Sequence, residues 1–227
     1  MNHSIVYNPC TSYKCTPRAD QPLLRLFALE ALSKMDQVRA KVLVIGPKRC
    51  GKTRVADFLA GSSLAPNFEV YNPTKGARIL EFEQVAEAGR KSFNVSCELW
   101  DCSGDRAYES CWPAILREAT GVLLVYDPTI KEQEKDIELW YKSYATRLNL
   151  KDSQVLLFAH QGGAASFRQY QAPRALDKFA FLNTTLDSED QHGAMKNAFS
   201  GFLGAVAEAA AAKGAADIDA SFNALGR

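Results

Sequence analysis

KVLVIGPKRCGKT, residues Lys41–Thr53, carries the pattern from which the rest of the architecture can be worked out. Lys41–Gly46 is a short apolar run closing on glycine, the pattern of a buried strand entering a loop. Gly46-Pro47-Lys48-Arg49-Cys50-Gly51-Lys52-Thr53 then fits G-x-x-x-x-G-K-[ST] in full. GKTRVADFLAG, Gly51–Gly61, continues as a helix with Val55, Phe58 and Leu59 inward and Gly61 to stop it. Strand, glycine loop and helix in this order let backbone N–H groups and the positive helix end surround a phosphate chain. Gly46, Lys48, Arg49, Cys50, Gly51, Lys52 and Thr53 are the expected phosphate-binding residues, with Lys52 on the outer phosphates and the Thr53 hydroxyl on Mg²⁺.

Outward from this stretch the pattern stays regular. Ala77–Val85 and Ser92–Asp101 read as strands joined through a turn at Gly89, hence an antiparallel hairpin. Phe93, Val95, Cys97 and Leu99 share one face of the second strand. Gly121–Pro128, Ser153–His160 and Leu176–Thr184 supply further strands. Helices are expected over Lys131–Leu148, with Ile137, Tyr141, Tyr144 and Leu148 on one side, and from Asp187–Ser188 to Lys213. In the second, Met195, Phe199, Phe202, Leu203 and Val206 point inward. The expected fold is α/β: a mostly parallel six-stranded sheet with one antiparallel hairpin strand and helices on both faces. Residues 35–213 form this domain, residues 214–227 a flexible tail, and residues 1–34 a poorly ordered extension, or else Met35 is the true start.

Composition narrows the class. The 227 residues carry 27 Lys+Arg against 26 Asp+Glu, so no net charge draws the chain to nucleic acid or acidic membrane. Hydrophobic residues at 47% leave ample material for a core, and charges break every run before it could span a bilayer. Cys10, Cys15, Cys50, Cys97, Cys102 and Cys111 include no paired C-x-x-C units, and His3, His160 and His192 are far apart. Zinc is therefore not expected, and the thiols read as reduced, in a cytosolic compartment.

Two more motifs follow the phosphate loop in order. Asp101-Cys102-Ser103-Gly104 is a D-x-x-G at a strand end, whose aspartate would hold Mg²⁺ through water while the Gly104 N–H meets a γ-phosphate. Thr74, in Pro73-Thr74-Lys75-Gly76, could complete a metal shell with Thr53 and Asp101. A nucleotide kinase would share the loop but would favour an Arg-rich lid, and none is evident.

Over about Lys41–Lys213 this set resembles the Ras/Rab small GTPases. WDCSGDRAYESCWP, Trp100–Pro113, and NPTKGARILEFE, Asn72–Glu83, narrow the resemblance to the Rab-like small GTPase subunit of the intraflagellar transport B complex. The resemblance implies GTP/GDP and Mg²⁺ as cofactors and coiled-coil subunits of that complex as partners. It also implies a place in the cytoplasm, in the cilium or flagellum and at its base. The role implied is an adaptor for flagellum or cilium assembly through the switch segments. An active regulatory switch and a nucleotide-independent scaffold remain the alternatives.

The chain departs from the pattern in three places. Where N-K-x-D would read guanine stands Ala159-His160-Gln161-Gly162, with no carboxylate. His160 and Gln161 are the candidate base contacts, and the residues alone leave GTP and ATP undecided. Asp105 replaces the glutamine that orients water, and Lys48 stands where Ras-type enzymes have glycine, so hydrolysis is expected to be very slow or absent. No cysteine follows Cys111, so no prenyl anchor is expected. Thr74–Arg78 and Arg106–Trp112, with Tyr108 and Trp112 as aromatic anchors, are the expected contacts to a helical partner.

Overall fold

The structure, a computed structural model, describes residues 37–62, 71–162 and 167–225, with side chains through residue 213. The expected extension at residues 1–34 lies outside the described residues, and Cys10 and Cys15 lie there too.

Six strands form one sheet in the order β2-β3-β1-β4-β5-β6. They are β1 (Gln37–Ile45), β2 (Ala77–Ala88), β3 (Lys91–Cys102), β4 (Gly121–Tyr126), β5 (Val155–His160) and β6 (Ala180–Thr184). Only β2–β3 pair antiparallel; β1–β3, β1–β4, β4–β5 and β5–β6 are parallel. Among the described residues the α-helices are α1 (Lys52–Leu59), α2 (Trp112–Leu116), α3 (Lys131–Ser143) and α4 (Glu189–Leu225). Strand positions of β1 alternate between two cores. Ala40, Val42 and Val44 face α1 and α4, while Leu43 and Ile45 face α2 and α3. The central strands β4 and β5 are buried along their whole length, as expected of a parallel sheet covered on both sides.

The expected elements are all present, with displaced ends. β1 starts at Gln37, before the apolar run, because its polar residues still pair with Asn94–Ser96 of β3. The helix from Lys131 stops at Ser143, and Ala145–Leu148 tightens into a 3₁₀ turn. The last helix does not end at Lys213 but runs on to Leu225, so residues 214–225 continue it. The alanines of this stretch favour helix strongly, and its glycine and two aspartates are tolerated inside it.

Trp112 anchors the second core. It is 2% exposed, stacks on Tyr144 at 3.9 Å between ring centroids and meets Trp140 edge-on at 5.4 Å. The expectation that Trp112 contacts a partner is therefore corrected. At the first position of α2 its indole points under the helix, where burial against two aromatics outweighs exposure.

Candidate functional site

Gly46–Gly51 forms a loop at the carboxyl end of β1, and α1 starts directly after it at Lys52. Gly51 has φ 84°, and a Cβ there would lie 2.5 Å from His160 Cδ2, so only glycine permits both the turn and the packing. Lys52 folds back over the loop: its Nζ donates to the carbonyls of Gly46 at 3.0 Å and Pro47 at 2.6 Å. The ammonium is thereby held at the loop, with the side chain only 7% exposed. Cys50 contributes no side chain to this surface. Its Sγ donates to the Pro47 and Val125 carbonyls, both at 3.1 Å, tying the loop to β4, and burial pushes the thiol pKa up. Gln133 of α3 ties it again, donating from Nε2 to the Lys48 carbonyl at 3.1 Å while Oε1 accepts from Asp127 N–H at 2.9 Å. Lys48 and Arg49 remain exposed, and Arg49 lies 5.0 Å over the Tyr71 ring.

Beside the loop, three oxygen-bearing side chains from separate elements converge. Thr53 Oγ1 donates to Asp101 Oδ2 at 2.8 Å, lies 3.0 Å from Thr74 Oγ1, and Thr74 donates to the same Oδ2 at 3.3 Å. Asp101 is fully buried, and its Oδ1 has no hydrogen-bond partner among the described residues. Burial raises its carboxyl pKa, opposed by the Thr53 hydrogen bond and the charges of Lys52 and Arg78. An orphaned anionic oxygen beside two hydroxyls suits a hard cation with oxygen ligands. Among the described residues no group of three His, Cys, Asp or Glu could hold a metal, so a cation here also needs oxygens from a ligand. Arg78 leans in from β2, donating to Asp57 Oδ1 at 2.7 Å with Nε 3.7 Å from Asp101 Oδ2. Its head is thus engaged within the domain. Asp57, a carboxylate on the buried side of α1, is a residue the sequence reading missed; its acidic side chain among Val55, Ala56 and Leu59 was the available signal.

The D-x-x-G segment closes this end. A Cβ on Gly104 would lie 2.7 Å from both Lys48 N and Pro47 C, so the two backbones touch here. Asp105 follows with both oxygens engaged. Oδ1 accepts from Ala107 N–H at 3.0 Å, capping the turn Arg106–Cys111, and Oδ2 pairs with Lys48 Nζ at 2.8 Å. The Lys48 pair, and then the Ala107 N–H, hold the Asp105 carboxyl below its usual range. Arg106 is exposed and Tyr108 half-buried on that turn.

At the opposite end the two candidate base contacts are corrected. His160 is 2% exposed, under Gly51, with Nδ1 3.1 Å from Thr184 Oγ1 and Nε2 without a partner among the described residues. Burial, and then the Arg54 charge, pushes its pKa down to about 4. Gln161 is bound back on the chain: Nε2 donates to the Arg168 carbonyl at 2.6 Å and Oε1 accepts from Arg168 N–H at 2.9 Å. Neither side chain is presented to a ligand. Both side chains instead hold the end of β5 in place, His160 beside Thr184 of β6 and Gln161 on the Arg168 backbone.

Comparison with known proteins matches residues 41–161 to the family model "Ras of Complex, Roc, domain of DAPkinase". The intraflagellar transport protein 22 homolog of Danio rerio is 38% identical over 172 residues, covering 74% of this chain and 90% of the relative. Among solved structures, the GTP-bound T. brucei IFT22/74/81 complex contains a chain similar to this one. It has a TM-score of 0.59 and 32% identity, over 74% of this chain and 94% of that one. The GDP-bound T. brucei IFT22 gives 0.53 and 30%, over 77% and 97%. A P-loop with its D-x-x-G, the Ras-like sheet order and these relatives lead to one assignment: the chain belongs to the intraflagellar transport protein 22 family of Rab-like, Ras-fold GTPases.

Proposed function

We propose that this protein binds GTP and GDP with Mg²⁺ and acts as an adaptor subunit of the intraflagellar transport B complex. The observation that carries this reading is the convergence of Thr53, Thr74 and the orphaned Asp101 carboxylate beside the phosphate loop. Gly46–Thr53 and the Gly104 N–H hold the phosphates, with Lys52 placed against the outer ones. Thr53, Thr74 and Asp101 would hold Mg²⁺, whose charge would offset that of the phosphates, and Thr74 would tie its own segment to the occupied site. The surfaces around Thr74–Lys75 and Arg106–Tyr108 then meet coiled-coil partners. These are the counterparts of the IFT74 and IFT81 subunits that accompany the T. brucei relative, in the cilium or flagellum and at its base.

Hydrolysis is very slow in this reading. Asp105 is one methylene shorter than glutamine and brings a negative charge toward the terminal phosphate, so it cannot orient water as glutamine would, and Lys48 stands where a glycine would leave room for a transition-state arginine. A second reading, a scaffold that needs no nucleotide, draws support from the burial of His160 and Gln161, which leaves the base without its usual reader. Nucleotide released on denaturing the purified chain, with competition by GTP, GDP and ATP, tests the first point. Co-purification of the partner subunits with Thr53→Asn tests the second. Loss of both nucleotide and partners supports the adaptor, whereas partner binding without nucleotide favours the scaffold. Single-turnover hydrolysis at a rate above that of ordinary intrinsic GTPases would overturn the slow-hydrolysis reading.

A further inference from the structure

The loop has two distinct ends. Pro47 and Lys48 touch Gly104 at the end of β3, while Gly51 packs on His160 at the end of β5. β3 and β5 lie on opposite sides of β1 in the sheet. Asp101 and Thr74, the cation-binding pair, belong to the β3 side. A nucleotide lying along the loop with its terminal phosphate at the Thr74–Asp101 pair would therefore point toward the β3 end, the end that carries Lys48.

At that place the chain supplies its own anion. Asp105 Oδ2 lies 2.8 Å from Lys48 Nζ, both side chains exposed enough to part (55% and 39%). The Lys48 backbone, in contrast, is fixed. Its carbonyl is held by the buried Gln133 and its amide abuts Gly104, so only the ammonium can change partner. The same carboxylate caps the turn Arg106–Cys111, which leads straight into the buried Trp112.

Resting on the nucleotide-binding reading above, we infer that Lys48 and Asp105 form a charge-exchange latch, in which the Asp105 carboxylate competes with the terminal phosphate of a nucleoside triphosphate for the Lys48 ammonium. With a diphosphate or no nucleotide, the pair closes and holds the Arg106–Cys111 turn against the loop. A triphosphate takes the ammonium, repels the carboxylate and frees the turn at its capped end. The pair thus sets the preference between di- and triphosphate, a role separate from grip on the phosphates common to both. No bond is made or broken; one ion pair replaces another.

The test is a double-mutant cycle on the full chain, by titration calorimetry with GTPγS and GDP in the presence of Mg²⁺. Asp105→Asn keeps an oxygen for the Ala107 cap and removes the competing charge. It raises the GTPγS:GDP affinity ratio by about fivefold, the scale of an exposed ion pair. Lys48→Met, which keeps side-chain length, lowers the ratio by a comparable factor, since the triphosphate loses its extra cation. In the Lys48→Met background, Asp105→Asn changes the ratio by less than about twofold, the coupling expected of direct partners. An unchanged ratio in Asp105→Asn overturns the latch, as does an equal gain with and without Lys48. A wild-type chain that binds both nucleotides while Asp105→Asn leaves the ratio unchanged refutes the latch alone. A wild-type chain that binds neither refutes the functional reading and the latch together.

Discussion

His160 makes the stability of this domain depend on pH in one direction. It is buried beneath Gly51 as the neutral ring, and its pKa is pushed down from 6.5 to about 4. The unfolded chain therefore takes up a proton that the folded chain refuses. Above pH 6.5 neither state is protonated and the residue imposes no cost. As pH falls toward the folded value the cost grows, and below it the cost is constant. Linkage between 6.5 and about 4 gives a loss of about 2 kcal/mol at pH 5 and about 3 kcal/mol as the limit. For a domain of this size the pH 5 value corresponds to about 4–8 °C in Tm. Arg54 also bears on the ring, as do Asp187 and Asp127 with the opposite sign, and all three are present in the comparison protein His160→Gln. Urea or thermal unfolding of wild type and His160→Gln at pH 7.5, 6, 5 and 4.5 isolates the histidine as the difference between the two curves. Wild type should lose about 2 kcal/mol more than the variant between pH 7.5 and 5. Parallel pH curves for the two proteins would refute the burial of a neutral ring at this position.

Trp112→Ala should cost about 3–5 kcal/mol, read as a fall in urea midpoint, because it opens a cavity between Trp140 and Tyr144. Asp101→Asn should abolish Mg²⁺-dependent nucleotide affinity while leaving the ligand-free domain as stable as wild type or more so. The reason is that burial raises the Asp101 pKa, so the charge opposes folding as pH rises from the unfolded value through the folded one. Calorimetry with and without EDTA, alongside melting of the free protein, checks both halves. Gly104→Ala should impair nucleotide binding at least tenfold, since the new methyl meets loop backbone and not a flexible side-chain end. Arg106→Ala with Tyr108→Ala should weaken capture of the proposed partner subunits without lowering Tm, in contrast to Trp112→Ala.

How legible each part was depended on whether its cause is local. The strand–loop–helix at Lys41–Gly61 was readable because the glycines, the apolar run and the helix start lie within one short segment. The inward faces of β3 and α4 followed from their periods, and Val95, Cys97, Leu99, Met195, Phe199 and Leu203 are buried as expected. Trp112 misled because an aromatic in a polar stretch looks the same from sequence whether it faces out or folds under its own helix. The pairing of Arg78 with Asp57 is not legible because Asp57 lies 21 residues earlier, and the Arg78 side chain still keeps 41% of its surface exposed. His160 and Gln161 were read by their place in a motif, although hydrogen bonds to Thr184 and Arg168 decide their orientation.

The α/β class, the antiparallel hairpin, the phosphate loop and the departures at Lys48, Asp105 and His160 are all legible along the chain. Each is a matter of residue type and short-range period, which the backbone obeys before any long-range contact forms. What those departures do depends on contacts between distant segments. Crossovers place β3 and β5 on either side of β1, so residues far apart in the chain become neighbours at the loop. Cys50 meets Val125, 75 residues on, Gln133 meets Lys48, 85 residues back, and Asp105 closes on Lys48. Spacing along the chain carries no information on such pairs, because burial and charge act through distance in space.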